Sequence, residues 1–279
     1  GPRSDRDALQ RKRFDGDASR GPGERASSGV RTPSAPVGPS VPDEVTGKEL
    51  DREVRAELSS LGSHGSTIVA RHLVMVGRLL DEDPELAWEH ALAARGRGAR
   101  ISVVREATGL AAYHTGRYGQ ALAELRTLRR LTGSNAHLAV MADCERGLGR
   151  PERALALAAS PEAARLSQAD RIELRIVAAG ARADLGQLDA AVITLQIPEL
   201  QSTGGEEWLV RLQLAYARAL AAVGRTEEAR TWAERAGLSL EDALDDDLRL
   251  AADASSADSG VVGDEESDGD FLDLLEDPQ

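Results

Sequence analysis

One cysteine, Cys144, stands among 279 residues, so the chain can form neither an internal disulfide nor a site of paired cysteines. Long apolar runs are also missing. The most apolar stretch, Ile176 to Ala181, is closed off by Arg175 and Arg182, far short of the roughly 18 to 20 residues of a membrane span. Aromatic residues number only eight (2 Phe, 3 Trp, 3 Tyr), which counts against a surface that stacks on nucleic-acid bases. Period-two alternation of β-branched residues is nearly absent, so no sheet is expected. The opening residues do not read as a secretory signal, and together with the lone thiol this points to the reducing cytoplasm.

Catalytic and metal-binding signatures are as scarce. The five histidines, His64, His72, His90, His114 and His137, never recur at i, i+3 or i+4, and HExxH is absent, so no metal is expected. Around Cys144 nothing supplies the base or cationic setting that a reactive thiolate needs, and the expected role of its side chain is packing. Asp264 to Asp270 looks like the start of a calcium loop, but the twelfth position is Leu275 where a carboxylate is required. Arg95-Gly96-Arg97-Gly98 suggests a phosphate cradle, yet the third glycine position is Ile101 and no strand precedes it. The sequence selects no pair of carboxylates for hydrolysis. The expectation is a protein that is not an enzyme and carries no cofactor.

What is present is distributed unevenly. Net charge is +1 over residues 1–45, zero over 46–237 and −14 over 238–279, so nearly all of the overall −13 lies at one end. Residues 1–45, rich in Gly, Pro and Ser with hardly an apolar side chain, are predicted to be a disordered tail. A helical domain is predicted over 46–250, with a final capping helix at 238–250, followed by a disordered acidic tail over 251–279. Thr46 and Glu49 form a capping-box pattern that predicts a helix start there, as do Thr203 and Glu206 before the Trp208 run. Asp83-Pro84 and Ser160-Pro161 each put a capping side chain ahead of a proline.

The central domain repeats. GRYGQA, GRPERA, GQLDAA and GRTEEA each place a glycine five residues before an alanine, at Gly116/Ala121, Gly149/Ala154, Gly186/Ala191 and Gly224/Ala229, with a degenerate copy ending at Ala87. The alanines fall 34, 33, 37 and 38 residues apart. A glycine that accepts a left-handed backbone ends one helix, and a small alanine early in the next lets the two pack closely. The pattern predicts a helical hairpin repeated along the chain, with longer turns around Pro198 to Gly205.

Residues 108–128, TGLAAYHTGRYGQALAELRTL, resemble a tetratricopeptide repeat through Gly109, Tyr113, Gly116, Tyr118, Ala121, Leu125 and Leu128. The resemblance extends over roughly 64 to 237 in about five units. The strings PDEVTGKELDREVRAEL, GRLLDEDPELA and MADCERGLGRPERALALAASPEAARL are similar to a narrower group of actinobacterial tetratricopeptide proteins of undefined biochemical role. The resemblance implies an all-α, right-handed superhelical solenoid of helix-turn-helix hairpins whose concave groove binds segments of other proteins, an interaction scaffold or adaptor. Carried over by register, the groove-lining positions on each first helix are His72, Glu106, Tyr113, Asp143, Arg146, Glu173, Arg211 and Arg218. The Lys and Asn pair with which some members hold a partner's terminal carboxylate is absent.

Two charged features stand beside the groove. Arg95, Arg97, Arg100, Arg105, Arg126, Arg129 and Arg130 form a basic cluster that supports an alternative reading as a ribosome- or nucleic-acid-associated protein. In the acidic tail, Phe271, Leu272, Leu274 and Leu275 alternate with Asp270, Asp273 and Glu276. Such a segment is expected to recruit a basic partner or to fold back onto the Arg95 to Arg130 patch.

Overall fold

The glycine-alanine repeat translates into one turn built four times. Gly116, Gly149, Gly186 and Gly224 all have φ between +70° and +79°, the left-handed region. After each, the next amide bonds back to a carbonyl five residues earlier: Arg117 to Ala112 (2.8 Å), Arg150 to Glu145 (2.8 Å), Gln187 to Arg182 (2.8 Å) and Arg225 to Leu220 (2.9 Å). This closes the orphan carbonyls of the first helix and reverses the chain. The partner alanines, Ala121, Ala154, Ala191 and Ala229, are all buried.

The structure, a computed structural model, describes residues 38–245, which are helical with no strand among them. Eleven helices follow in order: α1 (Arg52–Leu58), α2 (Gly62–Leu79), α3 (Pro84–Gly98), α4 (Ser102–His114), α5 (Tyr118–Thr132), α6 (Leu138–Gly147), α7 (Pro151–Ala158), α8 (Gln168–Asp184), α9 (Leu188–Leu195), α10 (Glu207–Ala222) and α11 (Thr226–Arg235). From α2 they pair as hairpins, 2 with 3 through 10 with 11. Each second helix also packs on the next first helix: α3 on α4, α5 on α6, α7 on α8 and α9 on α10. First helices α6 and α8, and α8 and α10, touch directly. The core is accordingly a chain of local clusters. Leu122, Leu125, Leu128, Leu138, Met141 and Cys144 fill the middle, and Ile172, Leu195, Leu212, Tyr216 and Leu220 fill the C-terminal part.

Several local expectations change. Gly38 to Val45 lies within the tail predicted to be disordered, yet these residues pack on α2 and α3. Arg71 of α2 donates from Nε to the Val45 carbonyl (2.6 Å) and from Nη2 to those of Val41 (3.1 Å) and Pro42 (2.9 Å), so one guanidinium organises backbone that has few apolar side chains of its own. Gly47, at φ +82°, lets this segment approach α2 so closely that a Cβ there would stand 2.7 Å from that of Ala70. Thr46 and Glu49 do bond as a capping box, Thr46 N to Oε1 at 2.9 Å, but they close a turn, and the helix begins at Arg52. Those backbone amides hold the Glu49 carboxyl down to about 2.

The Thr203 box does not form, because α10 starts at Glu207 with no side-chain cap. Ser160-Pro161 opens only a 3₁₀ turn, Pro161–Arg165, whereas Asp83 caps Leu86 N as expected (3.0 Å). Ser167, which the sequence reading missed, caps α8 through Asp170 N (3.1 Å). After Pro198 a 3₁₀ turn and loop lead to α10, matching the longer spacing. At the far end Ser239 caps a helical stretch from Leu240, and Ala243 is fully buried. Residues 246–250 of the predicted capping helix, the tail over 251–279 and residues 1–37 lie outside the described residues.

Close helix approach gives a first prediction. A Cβ at Gly147 would stand 2.3 Å from the Tyr118 ring, which packs on the central core. Gly147→Ala should therefore destabilise the fold by about 1 to 3 kcal/mol. Gly96→Ala on the open face of α3, where a Cβ meets nothing within 4 Å, should instead stabilise it by about 0.5 to 1 kcal/mol. Urea unfolding of the two variants beside the parent checks both signs.

Candidate functional site

Seven of the eight positions expected to line the groove lie on or between the first helices, and polar side chains join each helix to the next. Glu106 of α4 bonds Nε2 of His137, the N-cap of α6, at 2.7 Å. Tyr113 of α4 donates its hydroxyl to Asp143 Oδ2 of α6 (2.7 Å). Arg146, one turn along α6, donates to Asp143 Oδ1 (2.9 Å) and in fork fashion to Asp184 of α8 (2.8 and 3.2 Å). Its guanidinium lies over Gly180, where a Cβ would stand only 2.5 Å from Cζ. Glu173 of α8 pairs with Arg211 of α10 (2.7 Å). Arg218 of α10 donates to the Ala243 carbonyl (2.6 Å).

These contacts set the electrostatics. The His137 hydrogen bond draws the Glu106 carboxyl below its ordinary value. Burial, reinforced by Asp143, pushes the Tyr113 phenol up, so it remains a proton donor. Burial opposes charge on Arg146, but its bonds to Asp184 and Asp143 outweigh that and raise it. The strip is thus a series of oriented carboxylates and guanidinium groups with little conformational freedom left to lose, the condition under which polar groups bind a partner at low entropic cost.

His72 departs from expectation. It is 6% exposed and turned into the α2–α3 contact, where its Nδ1 lies 2.9 Å from Nδ1 of His90. Spacing along one helix could not show this, because the two rings come from consecutive helices. Burial draws both histidines down, His72 to about 4, with the charges of His90, Arg97 and Arg71 adding to the effect there. The pair is neutral, with one nitrogen donating and the other accepting.

The basic cluster is largely consumed by internal pairing. Glu124, 5% exposed, accepts from Arg95 Nε (2.8 Å) and Arg105 Nη1 (2.5 Å). Buried Glu145 takes Arg126 (2.9 Å), and Glu162 takes Arg129 (3.0 Å). Arg130 donates to Thr127 Oγ1 (3.1 Å), and Arg97 and Arg100 are exposed. The seven guanidinium groups therefore do not form one open patch. A residue not singled out from sequence, Arg117, makes a two-pronged bond to Glu85 (both 2.9 Å) and lies 5.4 Å from the Trp88 ring centroid.

Cys144 is fully buried, and burial pushes its thiol well up, which removes it as a nucleophile at neutral pH. Among the described residues no group of three or more His, Cys, Asp or Glu is placed to hold a metal ion, and no helix is long and apolar enough to cross a membrane. The Asp264 to Asp270 segment lies outside the described residues. Compared with family models, curated proteins and solved structures, the chain matches none.

Proposed function

We propose that this protein is a non-enzymatic, cytoplasmic interaction scaffold of the tetratricopeptide kind, a right-handed solenoid that receives a segment of another protein along the shared surface of its first helices. The observation that carries this reading is the strip of cross-helix polar contacts from Glu106 and Tyr113 through Asp143, Arg146 and Asp184 to Glu173 and Arg211. It runs over three successive hairpins, and its members are fixed in orientation before any partner arrives. Arg211, 57% exposed in its side chain, and Asp184, 38% exposed, are its most accessible members. The alternative, ribosome or nucleic-acid association through the Arg95 to Arg130 cluster, is weakened because four of those arginines already bond to carboxylates.

Affinity capture from lysate with the full chain and an Arg211→Glu variant, each with and without nuclease, tests the proposal. Protein partners should persist after nuclease and be reduced at least several-fold by the charge reversal, as expected for a partner contact on a desolvated charged pair. Binding that disappears with nuclease, or that ignores Arg211→Glu, would refute it.

A further inference from the structure

A second surface lies away from the polar strip, and its cause is legible in helix lengths. α8 has 17 residues, whereas its neighbours α7 and α9 have 8 each, cut short ahead of Pro161 and Pro198. The face of α8 that longer neighbours would cover stays open as a cleft of about 600 Å³, within the range of about 300 to 1,000 Å³ typical of binding clefts. Its floor is apolar and small: Leu155, Ala158, Ala163, Leu174 and Ala178.

Three arginines of α8, Arg171, Arg175 and Arg182, rim this floor. They differ from the Arg95 to Arg130 cluster in one respect that decides the argument: among the described residues no carboxylate stands within ion-pair distance of any of them. Arg171 reaches only the Leu166 carbonyl, at 3.4 Å, and Nε of Arg182 is buried without a hydrogen-bond partner. An apolar floor with an unneutralised cationic rim selects a ligand that is apolar and acidic at once.

We infer that this cleft is the docking site of the chain's own C-terminal segment Asp270 to Glu276. Its four large apolar residues, Phe271, Leu272, Leu274 and Leu275, match the floor, and Asp270, Asp273 and Glu276 match the three arginines in number and opposite charge. The reach suffices. The 25 steps from Asp245 to Asp270 give a flexible span of roughly 25 to 30 Å and an extended limit of about 80 Å. The cleft is one hairpin removed from α10–α11, with helices packed about 8 to 10 Å apart. This relocates the tail contact from the Arg95 to Arg130 cluster, where Glu124, Glu145 and Glu162 already occupy the place of an incoming carboxylate. The inference does not rest on the scaffold reading.

The test uses the full chain with Ser267→Cys carrying a nitroxide, since buried Cys144 does not compete for the label, and follows alanine methyl signals by NMR. Signals of Ala158, Ala164 and Ala178 should be lost in the oxidised state and return on reduction, while Ala121 and Ala123 of α5 keep theirs. The loss should disappear in Arg171→Glu/Arg175→Glu, which alters only exposed positions, and in Phe271→Ser/Leu272→Ser/Leu274→Ser/Leu275→Ser. Signal loss centred on α4–α5, or none anywhere, overturns the inference. So does loss that appears only when the label and the observed methyls are on different chains, which would mean docking onto a second copy.

Discussion

Glu124→Ala is expected to lower the unfolding free energy by about 2 to 4 kcal/mol, among the largest effects of any single change outside the apolar core. Glu124 is 5% exposed and holds two arginines from different helices, Arg95 of α3 and Arg105 of α4, while its own helix is α5. Its loss strands Arg105, 19% exposed, without a counter-charge in a half-buried site. Arg95, 44% exposed, can turn to water. Arg95→Ala should therefore cost less than about 1 kcal/mol, and Arg105→Ala substantially more. Glu124→Ala/Arg105→Ala should cost less than the sum of its two single changes, because the second removal relieves the charge left by the first. Urea titrations of the four variants measure this; additive costs would show that the pair is not coupled.

Much of this arrangement was written in the sequence at a distance that single-helix spacing does not reach. The turn glycines and their alanines were legible because each acts locally: left-handed φ and close packing leave Gly and Ala as visible choices. The inter-helix pairs obey a longer period. Arg146–Asp184 and Glu173–Arg211 are both 38 residues apart, Arg129–Glu162 33, Arg117–Glu85 32 and Glu106–His137 31, each close to one repeat. Opposite charges one repeat apart are neighbours when hairpins stack, and that rule would have paired the arginines of the basic cluster. The order in Gly38 to Val45 was not legible, since it comes from one guanidinium of α2 gathering backbone carbonyls and leaves no mark in the composition of the segment. The shortened α7 was misread for a related reason: Ser160-Pro161 has the pattern of a helix start, yet Ser160 Oγ donates backwards to the Leu157 carbonyl (2.7 Å).

The histidine pair gives the second large effect, a loss of stability on mild acidification. His72 has a folded value of about 4 against an ordinary 6.5, and His90 is lowered as well. A depressed folded value means that the unfolded chain takes up protons first as pH falls. Stability is then complete above about pH 6.5 and declines toward pH 4, with the slope positive in pH. For His72 alone the loss between pH 7 and pH 5 is about 2 kcal/mol. His90 adds to it. The surrounding charges are Arg71 and Arg97 toward His72, which resist its protonation, and Glu89 toward His90, which favours it without reversing the shift. Loss of the Glu49 turn falls in a lower window, between about 4.5 and about 2, and does not overlap. Urea midpoints at pH 7, 6 and 5 for the parent and for His72→Met/His90→Met check this: the parent should weaken steeply and the double variant should stay nearly flat. Equal slopes would mean that the buried pair does not set the acid response.

Partner contact through the first-helix surface is the claim on which the functional account stands, and site-specific photo-crosslinking reads it most directly. A photoreactive amino acid is placed at Arg211, within the polar strip on α10, or at Arg230, exposed on the second helix α11. Each full-length chain is then irradiated in lysate. The account predicts one discrete protein adduct from position 211, unaffected by nuclease and absent from position 230. Adducts of nucleic acid, or the same protein adducts from both positions, would contradict it.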